Sequence, residues 1–294
     1  MQALMLLALA AIASVAWQAP AVPADVVDRF FDSNGVRIRY VEQGQGSPVV
    51  LLHGYTGTLD RHWITPGIFA ALARDYRTIA IDCRGHGKSG KPADPKAYGA
   101  EMGQDVVRML DHLKLARAHI VGFSMGAIIV GHLVTTDPDR FITATLVAHH
   151  AVHQWTDADA QEAKESAEEL EGGTPFKSLV IGFSPAGKPL PSDEEIRKLM
   201  QPVIAANDLK ALAAYNRGRP GLVATSQALS AVRIPTLGII GSGDPAVDSM
   251  RALAPLMPAL QLIVVEGAEH SGERGILRRP EFLAALREFL SRHR

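Results

Sequence analysis

Five residues constrain this chain more than any others: Gly122-Phe123-Ser124-Met125-Gly126. They lie between two apolar runs. His119-Ile120-Val121 reads as a short buried strand, and Ala127-Ile128-Ile129-Val130 reads as the start of a buried helix. A strand that becomes a helix within so few residues has to bend sharply. The residue at the bend takes strained backbone geometry, and the positions two away on either side must be small. That geometry lifts the Ser124 hydroxyl off the sheet at a helix N-terminus, where free N–H groups and the helix dipole favour developing negative charge. G-x-S-x-G also arises by chance in Gly-rich turns; the strand–turn–helix context separates the two cases.

The rest of the chain repeats the same alternation. Val26 to Phe31 and Val36 to Glu42 read as strands around a Ser33-Asn34-Gly35 hairpin turn. Val49 to Leu52 is a fully apolar strand. Pro66 to Arg74 is predicted to be a helix with Pro66 in its first turn. Arg77 to Ile81 is a buried strand, and Glu101 to Leu115 a helix with Val106, Leu110 and Leu113 on one face. Ile142 to Val147 is a further strand. This order predicts an α/β fold: a mostly parallel sheet with helices on both faces. From about His149 to Ser230 the pattern changes to helices alone. An acidic helix over Asp157 to Leu170 closes at Gly172-Gly173, a helix opened by the Ser192 to Glu195 capping box is interrupted at Pro202, and a third runs from Asp208 to Arg217-Gly218. Residues 149–230 therefore read as a helical cap inserted between core segments 25–148 and 231–294. Alternation resumes with strands at Ile234 to Ile240 and Leu262 to Val265, a helix ending near Leu256 and a last helix over Pro280 to Leu290.

Composition excludes several classes. The 294 residues are 47% hydrophobic, enough for a large core, and 30 basic against 31 acidic residues leave no excess charge to suggest a nucleic-acid partner. A single cysteine, Cys83, excludes an internal disulfide and cysteine-paired zinc frameworks. Leu4 to Val15 is almost wholly apolar, too short to span a bilayer comfortably, and small-residue sites follow at Ser14-Val15-Ala16, Ala19-Pro20-Ala21 and Val22-Pro23-Ala24. Residues 1–24 read as a secretory signal peptide, although no Lys or Arg precedes the apolar run. The expectation is export to the periplasm or medium, with no stable membrane span after cleavage; the rival is an uncleaved membrane anchor.

Two phosphate-loop patterns fail on context. Gly85-His86-Gly87-Lys88-Ser89-Gly90 matches G-x-G-x-x-G, but Lys91-Pro92-Ala93-Asp94-Pro95 follows and cannot begin the helix that would hold a pyrophosphate. Gly87-Lys88-Ser89 imitates the end of a Walker A loop, yet Asp82 stands where its first glycine belongs. His149, His150 and His153 have no carboxylate partner at fixed spacing, so they read as polar groups at the mouth of a site and no metal is expected. No cofactor is expected either.

Nucleophilic catalysis remains. A serine hydroxyl is a weak nucleophile and needs a base with an orienting carboxylate. Asp244 follows the strand ending at Ile240, and His270 follows the strand ending at Val265. Parallel strands deliver their C-terminal loops to one edge, so both reach the edge where Ser124 emerges. Asp248 follows the same strand as Asp244, but at a helix start, where capping N–H groups is role enough. An oxyanion needs two backbone donors, assigned to Met125 and, in the loop after Leu52 where Gly54 allows close approach, Tyr55. His53 reads as a brace for that loop.

His53-Gly54-Tyr55, Asp82 to Ser89, Gly122 to Gly126, Gly241-Ser242-Gly243-Asp244 and Gly267-Ala268-Glu269-His270 together resemble the α/β-hydrolase superfamily, in its order and over nearly the whole chain after the leader. The resemblance implies an α/β-hydrolase fold with a helical cap, and makes Asp82 to Ser89 a structural loop beside the site. Glu269 departs from the family's frequent glycine and places a charge next to His270. Within this family Ser124 argues against the aspartate-nucleophile epoxide hydrolases and dehalogenases. The expected activity is that of a carboxylesterase on small to medium ester substrates; carbon–carbon bond hydrolysis, cofactor-free perhydrolysis and a ligand-binding pseudo-hydrolase are the alternatives. His149, His150, His153, Trp155 and Phe183 are the candidates for the pocket lining. The oligomeric state leaves no mark on the sequence.

Overall fold

In the computed structural model, which describes residues 26–183 and 189–293, the apolar runs become one eight-stranded sheet of order β1-β2-β4-β3-β5-β6-β7-β8. The proposed leader, residues 1–24, lies outside the described residues. Strands β1 (Arg29–Ser33) and β2 (Val36–Gln43) form a hairpin whose two turn residues, Asn34 and Gly35, both have positive φ, as a primed turn requires. The β1 strand starts later than its apolar pattern predicts, because Val26 and Val27 precede the first rung of the hairpin, Arg29 opposite Tyr40. β2 pairs antiparallel with β4 (Arg77–Ile81). β3 (Pro48–Leu52), β4, β5 (Ala118–Phe123), β6 (Phe141–Val147), β7 (Thr236–Gly241) and β8 (Leu260–Val265) all run parallel.

Alternate residues of each central strand feed opposite layers. Val50, Leu52 and Ile120 pack with helices α2 (Ala100–His112) and α3 (Met125–Thr136). Val49, Leu51 and Val121 pack with α1 (Ile68–Leu72) and the C-terminal α10 (Pro280–Ser291). The helix predicted at Pro66 is shorter than expected. Asp60–Ile64 forms a π-turn instead, and Gly67, at φ 78°, resets the chain before α1 begins. The left-handed residue separates Pro66 from the helix, so the proline holds no place in its first turn.

Between β6 and β7 come five helices among the described residues: α4 (Asp157–Glu171), α5 (Lys177–Gly182), α6 (Asp193–Ala206), α7 (Leu209–Gly218) and α8 (Ser226–Ala231). The first four enclose an apolar cluster of their own, including Leu170, Phe176, Ile196, Met200 and Leu212, while Leu229 of α8 joins the core beneath the sheet. Capping boxes at Thr156/Asp159 and Ser192/Glu195 open α4 and α6. The α6 helix runs through Pro202 without interruption. That proline is exposed, so water can satisfy the carbonyl that its missing N–H leaves free. Among the described residues no helix is long and apolar enough to cross a membrane.

The chain goes from β3 outward to β4, then returns to place β5 on the other side of β3. The crevice beyond the C-terminal ends of β3 and β5 is therefore a topological switch point, the place where open parallel sheets bind ligands. Ser124 sits at the end of β5, and the His53 to Gly57 loop at the end of β3.

Candidate active site

Ser124 is the bend between β5 and α3, with φ 53° and ψ −113°. A non-glycine residue there is strained, and the surrounding packing enforces it. A Cβ added at Gly122 would lie 2.1 Å from the Gly126 carbonyl oxygen, and one at Gly126 would lie 2.4 Å from the Leu52 carbonyl oxygen. The two glycines are thus the condition for the tight bend and for its contact with the end of β3. The Ser124 N–H donates to the Val147 carbonyl at 2.8 Å, which ties the bend to β6.

Residues separated by more than a hundred positions meet at this bend. His270 Nε2 is 3.1 Å from Ser124 Oγ, and His270 Nδ1 is 2.8 Å from Asp244 Oδ2. The Asp244 side chain is 1% exposed, and its Oδ1 accepts from the Ala246 N–H at 2.9 Å. With Oδ2 accepting from Nδ1–H, the imidazole presents its Nε2 lone pair to the hydroxyl, the tautomer that can take a proton from it. The ring packs against Phe123 and Phe183, each 5.3 Å away centroid to centroid.

The other carboxylate after β7, Asp248, is 88% exposed and pairs with Arg251 at 2.9 Å. It stands inside the first turn of α9 (Val247–Leu253), whose Ala246 cap makes no side-chain cap hydrogen bond, so it does not fill the capping role expected of it. Glu269 pairs with Arg274 at the surface, which offsets the charge it places beside His270.

The loop after β3 passes directly beside the serine: a Cβ on Gly54 would come within 3.1 Å of Ser124 Cβ. A turn with Gly57 N–H donating to Gly54 O and Thr56 at φ 57° shapes it. His53 braces the loop from beneath, with Nδ1 on the Gly54 carbonyl at 2.8 Å and Nε2 accepting from the Cys83 N–H at 3.0 Å. His62 accepts the Gly54 N–H at 3.1 Å. Burial holds the pKa of His53 below the ordinary value, and that of His62 well below it, so both act as neutral braces. The N–H groups of Tyr55 and Met125, the two assigned donors, have no hydrogen-bond partner among the described residues. The Tyr55 hydroxyl accepts from Asn216 Nδ2 at 3.2 Å, which joins α7 to this loop.

The Asp82 to Ser89 segment is a scaffold. Asp82 accepts from the Leu59 N–H at 2.8 Å, from the Lys88 N–H at 2.9 Å and from Arg39 Nη1 at 3.0 Å.

Four of the five predicted lining residues, His149, His150, His153 and Trp155, surround one cavity of about 330 Å³ between the sheet edge and the inserted helices. Phe183 lies against His270 instead, outside that lining. His149 and His150 stack at 4.7 Å, and burial lowers the pKa of His150 to about 3. Two lining residues were not among the sequence candidates: Tyr215 on α7, and Arg219, which follows it. Neither has a spacing or motif that marks it in the sequence. His62, likewise, is set apart by no pattern.

An α/β hydrolase fold family profile matches residues 47–174. The 3-oxoadipate enol-lactonase 1 of Acinetobacter baylyi is 31% identical over 211 residues, 68% of this chain and 73% of that protein. The acetyltransferase component of the acetoin cleaving system of Cupriavidus necator is 34% identical over 142 residues, 45% of this chain but only 36% of its own length. The chain likewise spans about a third of several other curated relatives. A thermophilic esterase from Thermogutta terrifontis superimposes with a TM-score of 0.73 at 23% identity, over 92% of this chain and all (100%) of that one.

Proposed function

The chain belongs to the α/β-hydrolase superfamily, and from that premise we propose that it is a serine hydrolase cleaving carboxylic esters through an acyl-enzyme on Ser124. What carries this reading is the placement of His270 Nε2 3.1 Å from Ser124 Oγ while Nδ1 sits 2.8 Å from Asp244. The relative from Acinetobacter baylyi is an enol-lactonase, and a lactone is a cyclic ester, so it falls in the same reaction class.

In the proposed mechanism Ser124 Oγ attacks the acyl carbon as its proton passes to His270 Nε2. Asp244 keeps the imidazole oriented and stabilises its charged form. The carbonyl electrons move onto oxygen, and that oxyanion lies over the unpartnered N–H groups of Met125 and Tyr55, with the start of α3 adding its dipole. Collapse expels the alcohol, which leaves with the proton from Nε2. Water then repeats the sequence on the acyl-enzyme and releases the acid. The helices over residues 149–230 serve as a cap that sets the pocket, supported by the hydrogen bond of Asn216 to Tyr55 and the contact of Phe183 with His270. Export through residues 1–24 is part of the same proposal. A mature N-terminus between Trp17 and Asp25 in the native host would sustain it, and an intact Met1 on a cytoplasmic species would overturn it.

The deciding experiment combines a fluorophosphonate probe with p-nitrophenyl esters of graded chain length. Covalent labelling at Ser124 together with ester turnover is expected. Absence of both overturns the assignment and leaves a binding protein.

A further inference from the structure

The cavity lined by the histidines after β6 does not include Ser124, Asp244 or His270 in its wall, but it approaches them through Tyr215, whose ring is 5.3 Å from that of Tyr55, and it contains a cation that the proposed mechanism does not use. Its wall combines Ile128, one turn beyond Ser124 on α3, and His149 from the end of β6 with Tyr215, Leu222 and Arg219 from the inserted segment. Arg219 is only 24% exposed, and its guanidinium lies 5.6 Å over the Trp155 ring. The nearby Arg217 shows how an arginine holds a surface acid in this region: both of its terminal nitrogens grip Glu171, at 2.5 and 2.7 Å. Arg219 does otherwise. It meets Glu162 through Nη1 alone, at 2.5 Å, and its Nε and Nη2 have no partner among the described residues. Half of a fork suited to bidentate recognition is thus without a hydrogen bond, in a residue that lines the cavity.

Other groups in the wall are also unpaired. The buried Nδ1 atoms of His150 and His153 have no hydrogen-bond partner, and the Tyr215 hydroxyl has none among the described residues. Burial holds His150 neutral, so it adds no charge, and the tyrosine stays protonated, its pKa pushed up to about 12. Two acids face the guanidinium. Glu162 is 48% exposed, and Asp159, on the rim, has its Oδ2 occupied by the N–H and hydroxyl of Thr156.

We infer that this cavity is a carboxylate subsite: the ester cleaved at Ser124 carries a second, free carboxylate, received by the open edge of Arg219 with the Tyr215 hydroxyl as a further donor. The inference rests on the serine-hydrolase reading and names its substrate class, an anionic ester or lactone rather than a purely apolar one.

The test sets monoethyl adipate and monoethyl suberate against the neutral ethyl hexanoate and ethyl octanoate, with hydrolysis followed by pH-stat. Wild-type kcat/KM is expected to favour the anionic member of a pair about 10-fold or more, the range of a charge-assisted hydrogen bond. Arg219→Gln should erase that preference mainly through a raised KM for the anionic ester, costing it several-fold more than the neutral one, and be partly rescued by Arg219→Lys. Equal or better use of the neutral esters by wild type overturns the subsite. So does an equal loss on both substrates in Arg219→Gln, or a preference for a trimethylammonium-bearing ester, which would assign the cavity to Asp159 and Glu162. Melting temperature with added adipate separates this from the reading beneath it. A rise in wild type that is absent in Arg219→Gln, without ester turnover or Ser124 labelling, upholds the subsite and sinks the esterase. Turnover of neutral esters with neither preference nor rise does the reverse.

Discussion

Among the places where the edge of the sheet and the inserted helices meet is the His270 ring, which touches Phe123 of the sheet and Phe183 of the inserted segment. The two regions are built differently. At the sheet edge, position is set by backbone: the Ser124 bend, the glycines that permit it, and the loops that β3, β7 and β8 deliver to one side. Some of its charges are buried and held by several partners, as in Arg39, which is 2% exposed and reaches Asp28, Asp60 and Asp82. In the inserted helices the charges lie mostly at the surface, in pairs such as Arg217 with Glu171 and Lys177 with Asp193, and the cavity is shaped by side chains alone. A region fixed by backbone can hold reacting atoms to a fraction of an ångström. A region fixed by side chains can change its ligand without disturbing them.

The sharpest way to break this contrast is at the bend itself. Ser124→Ala keeps the fold but should lose about 10³-fold or more in ester turnover and all fluorophosphonate labelling. A mutant that still takes the label places the nucleophile elsewhere. Next in size is the pair of carboxylates after β7. Asp244→Asn should keep its melting temperature and lose about 10²- to 10⁴-fold in kcat, because the imidazole loses the anion that sets its tautomer. Asp248→Asn, exposed and paired only with Arg251, should leave kcat unchanged. The reverse outcome would move the triad's acid while leaving Ser124 and His270 in place.

Stability should divide along the same line. Arg84 grips Asp105 through Nε and Nη2 at 2.7 and 2.5 Å, and both side chains are 2% exposed. Asp105→Asn leaves a buried guanidinium with only Glu101, 3.7 Å away, as its anion, and urea unfolding should register a loss of about 3 kcal/mol.

Acid should also loosen the sheet side. Burial lowers the pKa of His86 to about 3 and that of His119 to about 4, against 6.5 when unconstrained. Above 6.5 both are neutral in either state, and stability does not depend on them. Below it the unfolded chain takes up protons that the folded chain refuses, so stability falls as pH drops from 6.5 toward 4, by about 1.4 kcal/mol per pH unit for each such histidine. His119→Gln, away from the catalytic edge, should flatten that slope by about one proton in urea midpoints measured across the window. An unchanged slope would mean that His119 charges in the folded state.

How much the sequence revealed follows the same division. The bend, the three loops and the order of strands were legible because backbone geometry restricts residue type: glycine where a Cβ would strike a carbonyl, unbroken apolar runs where a strand is buried on both faces. The start of α1 was misplaced because Gly67 in a left-handed conformation resets the chain, which no apolar period records. The short α5 and α8, six residues each, give too few turns to show a period. Pro202 reads as a break in the sequence because its exposure, which lets the helix continue, is a tertiary fact. Arg219 and Tyr215 leave no mark because a pocket made of side chains from separate helices has no spacing rule; Phe183, a lining candidate, packs on His270 and lies outside the cavity that the histidines line.

The smallest effect tests whether the surface charges of the inserted helices stabilise anything. Arg217 and Glu171 have ideal fork-to-fork geometry, but their side chains are 35% and 46% exposed. Water at high effective dielectric weakens their attraction, salt screens it, and ordering two long side chains opposes it with lost entropy. The bidentate contact lifts the pair above a single surface contact, so the expectation is a modest contribution rather than none. Arg217→Gln should therefore lower stability by about 0.5 kcal/mol, shrinking further in molar salt, with ester turnover unchanged because neither Arg217 nor Glu171 lines the cavity. A loss as large as that of Asp105→Asn would erase the distinction between the two regions, and would mean that the junction of α4 with α7 is held by charge rather than by the apolar cluster of Leu170 and Leu212 beneath it.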